Sequence, residues 1–150
     1  MGSPELASLY QQVILEASKQ KHGFGLRPEP HPSNHQLNPT CGDEITLQLV
    51  TDSSGEHVEK LAWEGQGCSI SMASASLLTD LTAGLPVAEL PERIGLFREL
   101  MQSKGAGVED DEPLGDAAAL EGVSRYIARV KCAMLAWTAL EGAMMESAAK

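Results

Sequence analysis

The sequence predicts an α+β domain, a small antiparallel sheet with helices packed on one face, and three observations predict it. Ile45, Leu47 and Leu49 alternate with Thr46 and Gln48, the period of two expected of a half-buried strand. Asp52-Ser53-Ser54-Gly55 then supplies turn chemistry, and Val58, Leu61 and Trp63 read as the returning strand of a hairpin. Beyond Cys68 the apolar spacing changes to three and four. Strands first and helices after point to helices gathered on a hairpin-built sheet.

Each element follows in order. Leu6, Leu9, Tyr10, Val13, Ile14 and Leu15 recur at helical spacing and predict an amphipathic helix over 4–18. From Lys21 to Thr40 the chain holds four prolines and three of its four histidines, which is loop composition. After the hairpin, Ile70, Ala73, Leu77, Leu78 and Leu81 trace a helical face that ends at Gly84, with Ser69 or Ser71 as the expected N-cap. A further helix follows Pro86 or Pro91, its apolar side formed by Leu90, Ile94, Phe97, Leu100 and Met101. Gly105 to Asp116 reads as an acidic loop. Leu120, Val123 and Ile127, then Leu135, Ala139, Leu140 and Met144, predict two short helices or one long broken one. Trp63 and Trp137 are expected in the core.

The 150 residues are the usual size of one domain, so a single domain over 1–150 is expected. Hydrophobic residues make up 43%, the composition of a globular chain, and no apolar run approaches the roughly 20 residues that span a bilayer. The N-terminus lacks the basic and apolar regions of a secretory signal, which leads to a cytoplasmic expectation. A formal net charge of −10 repels phosphate backbones, so neither nucleic acid nor membrane is an expected partner.

Cys41, Cys68 and Cys132 are an odd number of cysteines without an export signal, which suits metal or thiol chemistry better than a disulfide framework. Cys41-Gly42-Asp43 lies at the entry to the first strand, where glycine permits a tight path and two potential ligands stand two residues apart. Cys68 sits where a strand hands over to a helix, beside backbone N–H groups that favour a thiolate. Cys132 repeats that arrangement if its helix starts there. All three cysteines are thus expected at element ends.

A closed zinc site takes four ligands, and three cysteines with Asp43 complete that number. Its charge, +2 against four anionic ligands, calls for a nearby cation, for which Arg129 and Lys131 are candidates. Free cysteine is also among the most buried residue types, and neither gap between the cysteines matches a short zinc-finger signature. Spacing alone leaves both readings open. His22, His31, His35 and His57 are alternative ligands, three in the loop and one beside the hairpin turn.

Four blocks in order resemble the SufU family of zinc-dependent sulfur-transfer proteins, relatives of the IscU iron–sulfur scaffold. They are Leu9-Tyr10-Gln11-Gln12-Val13-Ile14-Leu15, Asn38-Pro39-Thr40-Cys41-Gly42-Asp43, Gly65-Gln66-Gly67-Cys68 with the following Ser69 to Ser76, and Arg129-Val130-Lys131-Cys132 through Trp137. IscU-type proteins carry histidine directly before the third cysteine, where this chain has Lys131, and lack much of the segment between Ser76 and Tyr126. Ile127 stands where relatives often have proline.

The resemblance implies an IscU-like or SufE-like fold and zinc held by Cys41, Asp43, Cys68 and Cys132. It implies that Cys41 accepts sulfur from the persulfide of a SufS-type cysteine desulfurase that uses pyridoxal phosphate. Downstream Suf scaffold proteins would be the next partners, and Arg129 would act in docking or thiolate stabilisation. Two other readings follow from the same ligands: an IscU-type scaffold assembling a [2Fe–2S] cluster, and a zinc adaptor in which the metal only contributes folding free energy.

Overall fold

The computed structural model describes residues 4–39 and 42–148. Helix α1 spans Pro4–Gln20, strands β1, β2 and β3 span Ser33–Asn38, Asp43–Thr51 and Val58–Gln66, and helices α2, α3 and α4 span Ser69–Thr82, Leu90–Met101 and Ile127–Ala148. The strands form one antiparallel sheet in the order β1-β2-β3. The expected hairpin is β2–β3, with Leu47 opposite Trp63 and Leu49 opposite Leu61.

The alternation read in the sequence is the burial pattern of β2. Ile45, Leu47 and Leu49 face the core, joined from β3 by Leu61 and Trp63, while Glu44 and Thr46 lie half-buried on the other face. Helices α2 and α4 cover the apolar face, and α1 packs on α2. Burial of such side chains stabilises the fold by about 1.5–3 kcal/mol each. Behind the sheet, Phe97 of α3 stacks on Trp137 of α4 with ring centroids 3.9 Å apart, and both tryptophans are fully buried as expected.

The segment read as a loop from Lys21 to Thr40 contains strand β1, paired with β2 from Ser33↔Gln48 to Asn38↔Asp43. Its inward positions are polar. Asn34 and Gln36 bond to each other at 2.6 Å, so the strand shows no apolar alternation for a periodicity reading to find. The rest of the segment does serve as a connection, and it closes the far edge of the sheet. Gly25 N–H donates to Trp63 O at 2.7 Å and Trp63 N–H donates to Gly23 O at 3.0 Å. Those bonds occupy backbone groups that an open edge would leave unpaired.

Two boundaries also differ from expectation. The N-cap of α2 is Cys68 rather than Ser69 or Ser71, and its side chain makes no capping bond. The acidic loop is shorter than read, because Glu112–Arg125 forms a 3-10 stretch kinked at Gly115 (φ 54°). The break before α4 falls at Tyr126, giving the two-piece form of the expected C-terminal helix.

Candidate metal centre

Three elements deliver side chains to one point. Asp43 begins β2, Cys68 precedes α2, and Cys132 lies in the second turn of α4. A carboxylate oxygen of Asp43 and the sulfurs of Cys68 and Cys132 all lie within 4.8 Å of one another. Asp43 continues the inward set of Ile45, Leu47 and Leu49, which explains how a carboxylate comes to be 4% exposed at the end of an apolar face.

The carboxylate is held on both sides. Oδ1 accepts the Cys68 backbone N–H at 3.3 Å, and Oδ2 accepts the Ser71 hydroxyl at 2.5 Å. Ser71 Oγ also lies 3.3 Å from Cys132 O and 3.8 Å from Cys68 Sγ. Hydrogen bonds to a carboxylate are stronger than those between neutral groups, so the single hydroxyl proton belongs mainly to Asp43. Gly67 leaves room for the arrangement: a Cβ there would stand 2.7 Å from Asp43 Cγ. Gly42 takes φ +77° and its N–H donates to Asn38 O at 2.8 Å, closing the path between β1 and β2.

Cys68 stands at the strand-to-helix junction as expected. Cys132 does not stand at an element end. It is the sixth residue of α4, 2% exposed, with Sγ 3.7 Å from Ala128 O. The helix begins five residues earlier because Tyr126, in an extended conformation, ends the 3-10 stretch and frees the chain to restart at Ile127. Cys132 reaches the site sideways, from the buried face of a helix.

Cys41 lies outside the described residues. Arg129 and Lys131 are exposed on the first turns of α4, and among the described residues neither pairs with a carboxylate. With Arg125 they form a short run, 125–131, that carries three basic residues and no acidic one in a chain of net charge −10. The histidines stay away from the cluster. His22, His35 and His57 face Asp80, Glu44 and Asp52, and no described histidine joins a metal-binding group. Ser71 and Gly67 were not singled out as site residues by the sequence. The available signal was the three-residue spacing from Cys68 to Ser71, which puts a hydroxyl on the helix face above the thiol.

The donor set fits zinc. Sulfur donors on one tetrahedral zinc sit about 3.8 Å apart, given Zn–S bonds of about 2.3 Å, and the three donor atoms here all lie within 4.8 Å of one another. Two thiols and a carboxylate leave one position for a fourth ligand. Between β1 and α4 runs a groove of about 320 Å³ lined by Leu37, Asn38 and Pro39 on one side and Lys131, Met134 and Leu135 on the other.

The family model of the NifU-like N-terminal domain matches residues 9–133. The chain belongs to that family. Among curated relatives, this NifU-like domain is similar to the zinc-dependent sulfurtransferase SufU of Bacillus subtilis, 42% identical over 91% of this chain and 89% of the relative. It is also similar to the iron–sulfur cluster assembly scaffold protein IscU of Streptococcus pyogenes, 35% identical over 99% of this chain and 90% of the relative. A solved structure titled as a scaffold protein for the SUF system, from Fervidobacterium islandicum, superposes with a TM-score of 0.77 at 30% identity, covering 93% of this chain and 97% of that one. The family places this NifU-like domain among iron–sulfur cluster assembly proteins, with the α+β architecture expected of them. No helix among the described residues is long and apolar enough to cross a membrane.

Proposed function

We propose that this chain is a zinc-dependent sulfur-transfer protein of iron–sulfur cluster assembly. It accepts persulfide sulfur from a SufS-type cysteine desulfurase onto Cys41, stimulates desulfurase turnover, and passes the sulfur to downstream Suf scaffold proteins in the cytoplasm. The observation that carries the reading is the convergence of Asp43, Cys68 and Cys132 from three separate elements. Cys41 is two residues from Asp43 in the chain and is the proposed fourth ligand.

Zinc, when bound, holds thiols as thiolates at neutral pH and lowers their basicity. The chain's own residues do the rest. The Cys41 thiolate attacks the outer sulfur of the desulfurase persulfide; a new S–S bond forms on Cys41, the old one breaks, and the desulfurase thiolate leaves with its electron pair. No oxidant is consumed. Asp43, Cys68 and Cys132 would hold the metal while Cys41 reacts. Arg129, exposed three residues before Cys132, meets the partner or steadies the departing thiolate.

The scaffold reading draws support from the names of the Streptococcus relative and the Fervidobacterium structure, both called scaffold proteins. Lys131, in place of the histidine that IscU-type proteins carry, weighs against it. Metal analysis of the purified protein, with desulfurase turnover measured with and without it under reducing conditions, tests the proposal. About one zinc per chain and stimulation that disappears in Cys41→Ala support transfer. Iron with a visible charge-transfer spectrum supports the scaffold, and undiminished stimulation by Cys41→Ala removes Cys41 as acceptor.

A further inference from the structure

We propose that Ser71 is the positioning residue that keeps Asp43 on the metal, so that the ligand released when a partner docks is a thiolate and not the carboxylate. The second half of this inference rests on the sulfur-transfer reading above.

A carboxylate is a harder and weaker ligand for zinc than a thiolate. In a set of three thiolates and one carboxylate, the carboxylate should therefore be the first to yield to an incoming donor. Sulfur transfer needs the opposite order, because a thiolate must come free. The geometry around Asp43 supplies a reason for the reversal. Its Oδ1 accepts a hydrogen bond from Cys68 N–H and its Oδ2 one from Ser71 Oγ. The carboxylate cannot swing away without giving up both.

Ser71 is itself fixed. It is 3% exposed, and Oγ lies between α2 and α4, within 3.3 Å of Cys132 O. One hydroxyl thus touches residues from all three elements that bring ligands: Asp43 of β2, Cys68 before α2, and Cys132 of α4. Ser74, one turn further along α2, makes a related bond to the backbone of α4, donating to Ala133 O at 2.6 Å while accepting from Trp137 Nε1 at 2.9 Å. Among the described residues its hydroxyl bonds to no candidate ligand side chain. The two serines therefore share the task of setting α2 against α4, and only Ser71 adds a bond to the carboxylate. Orienting partners of this kind change metal affinity by about 10–100-fold.

The test compares Ser71→Thr with Ser71→Val, near-isosteric side chains that differ in the hydroxyl, together with Ser71→Ala and Ser74→Ala. Zinc affinity is read by competition with a chromophoric chelator, and the ligand set by the visible spectrum of the cobalt-loaded protein. Thermal unfolding of the metal-free chain is followed in parallel. Ser71→Ala and Ser71→Val should lose about 10–100-fold in zinc affinity, and Ser71→Thr should recover most of it. Ser74→Ala should lower the melting temperature while costing far less zinc affinity than Ser71→Ala. Adding desulfurase should weaken the thiolate-to-cobalt band in the unaltered protein and leave it undiminished in Ser71→Val.

Equal zinc affinity in Ser71→Thr and Ser71→Val would overturn the inference, as would a loss in Ser74→Ala as large as that in Ser71→Ala. Tight zinc binding by the unaltered chain combined with either result sinks the Ser71 role alone. No zinc binding by the unaltered chain sinks the sulfur-transfer reading beneath it.

Discussion

Asp43 caps helix α2 from a different element. Its Oδ1 accepts the backbone N–H of Cys68, 25 residues away in sequence, at 3.3 Å, and Cys68, the N-cap residue, offers no side-chain cap of its own. The carboxylate thereby satisfies an orphan donor and lies at the positive end of the helix dipole. One side chain serves both the fold and the site.

Asp43→Ala is expected to destabilise the metal-free chain by about 1–3 kcal/mol, because the Cys68 amide loses its acceptor and the buried Ser71 hydroxyl is left with only the longer contact to Cys132 O. Zinc affinity should fall as well. Thermal unfolding with and without chelator separates the two effects. A metal-free melting temperature equal to that of the unaltered protein would rule out the capping role.

Gly67→Ala should damage the site more than the fold. The new Cβ would stand 2.7 Å from Asp43 Cγ and 2.9 Å from Oδ1, a contact that pushes the carboxylate away from the Cys68 N–H and the Ser71 hydroxyl. Overpacking of this kind costs about 1–3 kcal/mol. Chelator competition should show weakened zinc binding, and unchanged affinity would mean that Asp43 has slack that the geometry does not show.

Trp137→Ala should be the most damaging of these core changes. It removes the stack on Phe97 and leaves Ser74 Oγ without the indole donor, at a cost of about 3–5 kcal/mol. Because α4 carries Cys132, zinc binding should weaken in step with stability. Denaturant unfolding provides the number, and a cost under about 1 kcal/mol would contradict the packing described.

Arg129→Ala combined with Lys131→Ala should weaken the desulfurase complex while zinc stays bound. Both side chains are exposed and lie in the basic run of an otherwise acidic chain. Their contribution should shrink as salt rises, since exposed charges are screened over about 8–10 Å at physiological ionic strength. The check is a binding titration at two salt concentrations. Affinity and salt dependence both unaltered would remove these residues from the docking surface.

Tyr10 should titrate late. Partial burial, and then the nearby carboxylates of Asp111 and Glu121, hold its phenol above the ordinary value. The folded chain binds this proton more tightly than the unfolded one. Its contribution to stability is therefore complete below about pH 10 and is lost as pH climbs through the folded value. Tyr126→Phe leaves Tyr10 as the only tyrosine, so phenolate absorbance then follows it alone; a midpoint at or below that of the unfolded chain would be the contrary result.

The hairpin, α2, α3 and the core tryptophans were legible because burial imposes a period on the residues that make them. Ile45, Leu47 and Leu49 must alternate if one face of β2 is covered, and that alternation extends back to Asp43. The trio Asp43, Cys68 and Cys132, which could hold a metal, was legible by residue type and through resemblance to a family, but spacing by itself left buried cysteine as an equal reading. Strand β1 was hidden because its inward Asn34 and Gln36 satisfy each other instead of joining an apolar core.

What the sequence determined by itself is local: which stretches carry a strand or helix period, where glycine permits a turn, and which side chains are able to bind a metal. The tertiary structure alone decided that Cys132 enters the site from the flank of α4, that Gly67 makes room for Asp43, and that the Ser71 hydroxyl ties β2, α2 and α4 together. Those relations join residues 24 to 89 positions apart, from Asp43–Gly67 to Asp43–Cys132, and no local pattern encodes them. They exist because packing α2 and α4 on one sheet face fixes the height of each helix against the end of β2.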